Sequence, residues 1–255
     1  MYNLTGKYVV VTGASSGIGE NAAIAYAKAG ANVAILARRL EKLQTLQEKL
    51  EGLGVKAIAV KCDVSNEDSV KEASKIIFDN FPRVDILFNN AGIAVHGDVV
   101  NLKEEDWDKS FDINVKGIYF MSKYILPNMI ENKYGKIINT SSINAVISDK
   151  SEVFVRHSYN ASKKAVVGLT EAMATYYGKY NITVNAIGPG LFKSEMTEDT
   201  LFKSDAFLQG YSAANPMSRP GELDELNGPI LFFSSDASSY VTGQFIVVDG
   251  GLSLT

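Results

Sequence analysis

Short apolar runs alternate with longer amphipathic stretches along the whole chain. Tyr8–Val11, Val33–Ala37, Val55–Val60 and Val84–Phe88 are β-rich and show little polar alternation, the pattern of strands covered on both faces. A fifth run begins at Lys136–Asn139, a sixth is Ile182–Ile187 and a seventh Gln244–Val248. Between them the apolar positions turn helical. Ala22–Ala27 leads to Gly30, a helix-ending residue. Leu43, Leu46 and Leu50 mark one face of a helix over Leu40–Leu53. Ser65 and Asp68 have capping-box spacing for a helix that ends near Phe81. Trp107, Phe111, Ile113, Val115, Ile118 and Met121 share a long helical region, and Val166, Val167, Leu169, Met173 and Tyr176 follow from a helix opening at Tyr159. Strands alternating with helices predict right-handed crossovers and one parallel sheet with helices on both faces.

Composition narrows this picture without changing it. At 255 residues and 46 % apolar, the chain suits one α/β domain over residues 1–255. No repeat, low-complexity stretch or linker suggests a boundary. The net charge of -4 points to no polyanion such as nucleic acid. No apolar run reaches bilayer length, and the first residues carry no apolar signal core, so no membrane partner is expected. A single cysteine, Cys62, cannot form an internal disulfide and fits a reducing cytoplasm. No metal site is read.

Thr12-Gly13-Ala14-Ser15-Ser16-Gly17-Ile18-Gly19 stands between the first strand and the first helix. Glycines there let backbone approach a phosphate, and the helix amides attract its charge. The spacing is Gly-x-x-x-Gly-x-Gly, not the more general Gly-x-Gly-x-x-Gly, and a tight turn without ligand is the alternative. Arg38 and Arg39 end the second strand, about twenty residues on, where an acid suits a ribose hydroxyl and an arginine a 2′-phosphate. That favours NADP(H) over NAD(H), unless both arginines merely open an exposed helix. Asp63 is placed either to accept from an adenine amine or to cap its own turn. Asn89-Asn90-Ala91-Gly92 follows the fourth strand, as a cofactor crevice or a plain turn would require. Asn114, inside an apolar stripe, either orders a water or satisfies a distorted backbone.

Tyr159 and Lys163 lie four apart on one helix, so their polar ends can converge on one reacting group. A cation beside a phenol favours the phenolate and brings its pKa toward the working range. Tyr119 and Lys123 have the same spacing and serve as a decoy.

The ordered set Thr12-Gly13-x-x-x-Gly17-x-Gly19, Asp63-Val64, Asn89-Asn90-Ala91-Gly92, Asn114, Ser142, Tyr159-x-x-x-Lys163 and Pro189-Gly190 resembles the short-chain dehydrogenase/reductase family over essentially the whole chain. The resemblance implies a doubly wound Rossmann-like fold with a seven-stranded parallel sheet. It implies a catalytic tetrad of Asn114, Ser142, Tyr159 and Lys163, with Ser141 the less favoured serine. Tyr159 would protonate a substrate carbonyl as hydride arrives, Ser142 would steady the oxygen, and Lys163 would lower the tyrosine pKa and hold the nicotinamide ribose. Asn114 would hold a water linking Lys163 to solvent. The implied cofactor contacts are Gly13, Ser15, Ser16, Gly17, Ile18 and Gly19 in the loop, with Arg38, Arg39, Asp63 and Val64 beyond it. Asn90, Ala91, Gly92, Tyr159, Lys163, Pro189, Gly190 and Ser194 complete the set. Ser16 stands where some NADP-preferring relatives have a basic residue, which leaves Arg38 as the main 2′-phosphate ligand.

The segment between Ser142 and Tyr159 is longer than is usual in the family. It carries Asp149, Lys150, Glu152, Arg156 and His157 around Val153-Phe154-Val155. It is expected at the substrate mouth, against the alternative of a loop without ligand contact. Residues 191–220, with Phe192, Met196, Leu201, Phe202, Phe207, Leu208 and Tyr211, read as a lid. Lys179–Gly190 looks most like the gluconate 5-dehydrogenase branch, which implies a polar keto or hydroxy substrate such as a sugar acid, its carboxylate near Arg156 or Lys150. Reduction of a 3-oxoacyl carrier-protein thioester, a hydroxysteroid substrate, and a sensor that binds cofactor without chemistry are the competing readings. Glu222–Ser234 and Tyr240–Phe245 resemble the surface that relatives use to form homotetramers, or a homodimer.

Overall fold

The fold is seen in a computed structural model, which describes residues 2–148, 150, 152, 154–198 and 201–255, without the side chain of Met196. β1 (Tyr8–Thr12) runs into α1 (Gly17–Lys28), β2 (Asn32–Ala37) into α2 (Leu40–Glu51), and β3 (Ala57–Lys61) into α3 (Glu67–Asn80). After β4 (Ile86–Asn89), α4 (Glu104–Phe111) passes through a π-helical turn at Asp112–Lys116 into α5 (Gly117–Asn132). β5 (Gly135–Thr140) is followed by α6 (His157–Tyr177) and β6 (Ile182–Pro189). α7 (Glu195–Glu198), α8 (Asp205–Ala214) and α9 (Asn227–Ser234) precede β7 (Phe245–Val248).

The strands form one parallel sheet in the order β3-β2-β1-β4-β5-β6-β7. Alternate residues of each run face opposite layers, and both layers are apolar. Val9 and Val11 join Ala22 and Tyr26 of α1, Leu43 and Leu46 of α2, and Ile230 and Phe233 of α9. Val10 and Leu36 join Val70 and Ile77 of α3, Met121 and Ile125 of α5, and Met173 of α6. Val9, Val10 and Val11 are fully buried, each worth about 1.5–3 kcal/mol of apolar transfer, which explains the absence of polar alternation.

One local expectation changes. The cap of α3 is Asn66, whose side chain accepts from the Ser69 amide at 2.9 Å; Ser65 is occupied with Asp63 instead. Tyr119 is an exposed residue of α5, and Lys123 pairs with Glu67. The chain winds from β1 to β3 in one direction and returns beyond β1 at β4. This reversal opens a crevice at the carboxyl ends of β1 and β4, where ligands bind in such sheets.

Candidate active site

A cleft of about 570 Å³ occupies that crevice. Its floor at one end is the turn after β1. Gly13 has φ +67°, and a Cβ there would meet the Ala91 Cα at 2.8 Å. Gly19 does not line the cleft; it lies beneath the turn, where a Cβ would meet the Gly13 carbonyl at 2.3 Å. Ser15, Ser16, Gly17 and Ile18 line the cleft above it, and Ser16, at the start of α1, makes no side-chain cap, so the first amides of α1 keep their capacity for an anion. Thr12 Oγ1 accepts from the amides of Asn90 and Ala91 at 3.0 and 3.1 Å, which joins the ends of β1 and β4 under the same surface. These contacts leave no room for side chains and fit a pyrophosphate, so the residues present suit a dinucleotide.

Arg38 and Arg39 divide the work expected of them. Arg38 is exposed at the cleft rim. Arg39 turns inward and donates to Ser15 Oγ at 2.9 Å, to Ser16 Oγ at 3.0 Å and to Glu195 Oε2 at 2.8 Å. Both arginines line the cleft, and the serines of the turn fix Arg39. Asp63 lines the cleft with Val64, but its carboxylate accepts from the Ser65 amide and hydroxyl and caps its own turn. Cys62 is buried beside it, and burial lifts its thiol to about 11.

At the other end Ser142, Tyr159 and Lys163 meet. Ser142 follows β5, Tyr159 lies in the first turn of α6 and Lys163 one turn later. Tyr159 and Ser142 share a hydrogen bond, and the Ser142 hydroxyl also accepts from the Asn144 amide at 3.1 Å. Ser141 donates to the Lys163 carbonyl at 2.7 Å and is committed to holding α6 against β5. Ser142 is thus the available serine.

Lys163 lines the cleft beside Tyr159. Its ammonium donates to the Thr140 carbonyl at 2.8 Å and stands 5.6 Å from the Tyr159 ring centre. Burial lowers its pKa to about 8. Burial also raises Tyr159; the hydrogen bond from Ser142 and the charge of Arg156 act in the opposite direction. Arg156 is a second cation that favours the phenolate, beside Lys163 over the ring.

Asn114 sits behind the cleft and is fully buried. Its Oδ1 accepts from the Ile93 amide at 2.9 Å, and its Nδ2 donates to the Ile93 carbonyl and to Ser162 Oγ, each at 3.0 Å. It lies in the π-helical turn, where the Gly117 amide reaches back to the Asp112 carbonyl. Its side-chain amide thus ties the Ile93 backbone to α6 through Ser162. Gly92 lies between it and Lys163: a Cβ there would meet Asn114 Oδ1 and Lys163 Nζ, each at 3.2 Å.

The long loop does reach the mouth. Ile147, Phe154 and Arg156 line the cleft, and Phe154 packs on Phe207 of α8 with ring centres 5.0 Å apart. Arg156 Nε is buried without a hydrogen-bond partner among the described residues. His157 is structural: its Nδ1 accepts from the Val99 amide at 2.9 Å. Lys150 and Glu152 are exposed and off the cleft, while Asp149, Val153 and the Met196 side chain lie outside the described residues.

The lid is pinned at its base. Phe192 bridges to Gly221, whose amide donates to the Leu191 carbonyl at 2.9 Å. Pro189, Gly190 and Ser194 line the cleft beneath it, and Leu201, Phe207 and Tyr211 face it. Ser194 hydrogen-bonds with Thr197 and packs on the glycine turn, its Cβ 3.2 Å from where one on Gly17 would stand. Sequence reasoning missed Thr12, Asn144, Ile147 and Glu195; of these only Thr12 carried a signal, as the first residue of the glycine motif.

A family model described as enoyl-(acyl carrier protein) reductase matches residues 13–253. A 3-oxoacyl-[acyl-carrier-protein] reductase of Thermotoga maritima is 36 % identical over 98 % of both chains. The gluconate 5-dehydrogenase of Gluconobacter oxydans is 35 % identical over 100 % of this chain and 98 % of its own. Among solved structures, a gluconate 5-dehydrogenase from Burkholderia cenocepacia in complex with NADP and tartrate superposes with a TM-score of 0.94 at 32 % identity, covering 99 % of this chain and 97 % of that one. With the sheet order, the glycine turn and the Ser142–Tyr159–Lys163 corner, these likenesses establish that the chain is an oxidoreductase of the short-chain dehydrogenase/reductase family.

Proposed function

We propose that this chain is an NADP(H)-dependent enzyme that interconverts a ketone and a secondary alcohol on a polar, carboxylate-bearing compound such as a sugar acid. The observation that carries this reading is Arg156: a guanidinium whose buried Nε–H has no partner among the described residues, next to Tyr159 in the same cleft. An unpaired buried donor is costly, and a carboxylate is its natural complement. Tartrate, held by the Burkholderia relative, is itself a hydroxy acid. Arg39, fixed by Ser15 and Ser16, supports a 2′-phosphate and hence NADP(H).

The cleft residues from Gly13 to Ser194 would hold a nicotinamide cofactor, which would supply or take the hydride. Tyr159 gives its phenol proton to the carbonyl oxygen during reduction and takes it back during oxidation. Ser142, oriented by the Asn144 amide, donates to the same oxygen and steadies its developing charge. Lys163 would hold the ribose of a bound cofactor, and Asn114 supports the wall at Gly92 beside it through Ile93. Phe154 and Phe207 close over the substrate and exclude water.

A second reading, reduction of a 3-oxoacyl thioester, is favoured by the apolar lining of Ile147, Phe154, Leu201 and Phe207 and by the Thermotoga relative. The deciding experiment follows NADPH and NADH oxidation over keto sugar acids, small keto acids, acetoacetyl thioesters and steroid ketones, with Tyr159→Phe as control. Fastest turnover of a keto acid with NADPH, lost in Tyr159→Phe, is expected. Preference for the thioester moves the substrate to the second reading, and tight cofactor binding without turnover on any ketone sinks both. The same proposal places the enzyme in the cytoplasm as a homotetramer, built through the edge strand β7, where Ile246 stays exposed.

A further inference from the structure

Arg39, Lys42 and Ser16 come from three segments, the end of β2, the first turn of α2 and the glycine turn, yet they point at one spot. That spot holds an anion. The Glu195 carboxylate, from the first residue of α7 in the lid, accepts from Arg39 Nη2 at 2.8 Å through one oxygen and from Lys42 through the other. Ser16 adds a hydrogen bond, and these partners, Arg39 first, hold the carboxyl down at about 2. Glu195 is therefore charged at any working pH.

We propose that Glu195 is a cofactor-selectivity residue, which competes with the 2′-phosphate of the cofactor for Arg39 and Lys42. The proposal rests on the reading of the site as one for NADP(H). Two cations and one carboxylate leave the cluster with a single positive charge. A phosphate monoester brings a charge of about -1.5 to -2. Placed beside a retained Glu195, it makes the cluster net negative and sets like charges in contact. The phosphate therefore displaces the carboxylate. Glu195 can leave because its side chain is 47 % exposed and moves directly into water. A cofactor with a 2′-hydroxyl brings no such charge, and Glu195 keeps both cations. The lid thus narrows the advantage that Arg39 gives to the phosphorylated cofactor, from a position 156 residues away in sequence.

Calorimetric titration with 2′,5′-ADP and 5′-AMP, which differ only in the phosphate, tests this without turnover. Glu195→Gln, an isosteric change at an exposed position, is expected to bind 2′,5′-ADP about tenfold tighter than wild type, the worth of one charge-assisted contact. Binding of 5′-AMP should stay within about twofold. Adding Lys42→Gln to this variant should remove much of the gain. An unchanged or weaker affinity for 2′,5′-ADP in Glu195→Gln, or an equal gain for both ligands, overturns the proposal. Equal binding of the two ligands to wild type overturns the NADP(H) reading instead; a gain confined to 2′,5′-ADP in the variant would still establish the competition.

Discussion

Tyr159 is buried in the free protein, and burial favours the neutral phenol. In that form it is a proton donor throughout the neutral range. Carbonyl reduction should therefore be insensitive to this group until pH approaches its raised pKa, then fall. Alcohol oxidation, which needs the phenolate, should rise over the same alkaline range. Arg156 is the charge that opposes burial. Arg156→Gln should raise the Tyr159 pKa and move the alkaline limb of the oxidation profile upward by up to about one unit. It should also cost keto acids roughly 10- to 100-fold in kcat/KM, through loss of a charged hydrogen bond, and spare neutral ketones. An unmoved pH profile together with equal losses on acidic and neutral ketones would show that Arg156 serves only the loop. At this scale the sequence exposed the candidate pair but not its electrostatics. Tyr159 and Lys163 are four apart on any helix, whereas the direction of the Lys163 ammonium is set by the Thr140 carbonyl on β5.

The π-helical turn between α4 and α5 is an element with a purpose that one side chain reveals. Asn114 spends its whole amide on Ile93 and Ser162, so the loop after β4 is tied to α6 through it. Asn114→Ala leaves the Ile93 amide and carbonyl without these partners, and a denaturant titration should show a loss of about 2–4 kcal/mol. Gly92→Ala tests the same wall from the cleft side. The added methyl at 3.2 Å from both Asn114 Oδ1 and Lys163 Nζ should displace the ammonium and depress turnover more than it depresses stability. Wild-type stability in the first variant, or wild-type turnover in the second, would remove the turn from the account of the site. The sequence marked Asn114 because an amide in an apolar stripe needs partners. It could not name them, since Ile93 and Ser162 are 21 and 48 residues distant.

Across the whole molecule, β7 is the edge of the sheet, and its residues are less buried than those of β1 or β6. Edge strands invite a partner. α9 contributes less surface than its composition suggests, because Ile230, Leu231 and Phe233 are consumed by the core. The proposed homotetramer predicts a solution mass near four chains at micromolar concentration, and charge substitution at Ile246 should lower that mass; a monomeric wild type would refute the assembly. Whole-molecule arrangement also makes the cleft. The lid, the loop before α6 and the glycine turn lie far apart in sequence and meet only because β1 and β4 are neighbours.

What the chain determined by itself is what short-range pattern can carry. Apolar runs without alternation required a sheet covered on both faces, the glycines after β1 required a turn too close for side chains, and the spacing of Tyr159 and Lys163 required one helix face. Tertiary structure decided which of two identical spacings looks into the cleft. Tyr119 and Lys123 are spent on the surface and on Glu67. It also decided which arginine the serines of the turn hold, and that Glu195 meets it there. Helical and strand periods act over a few residues and fix which face a side chain occupies. The partner that face meets depends on strand order and on loops that close over long separations, and no local spacing encodes them.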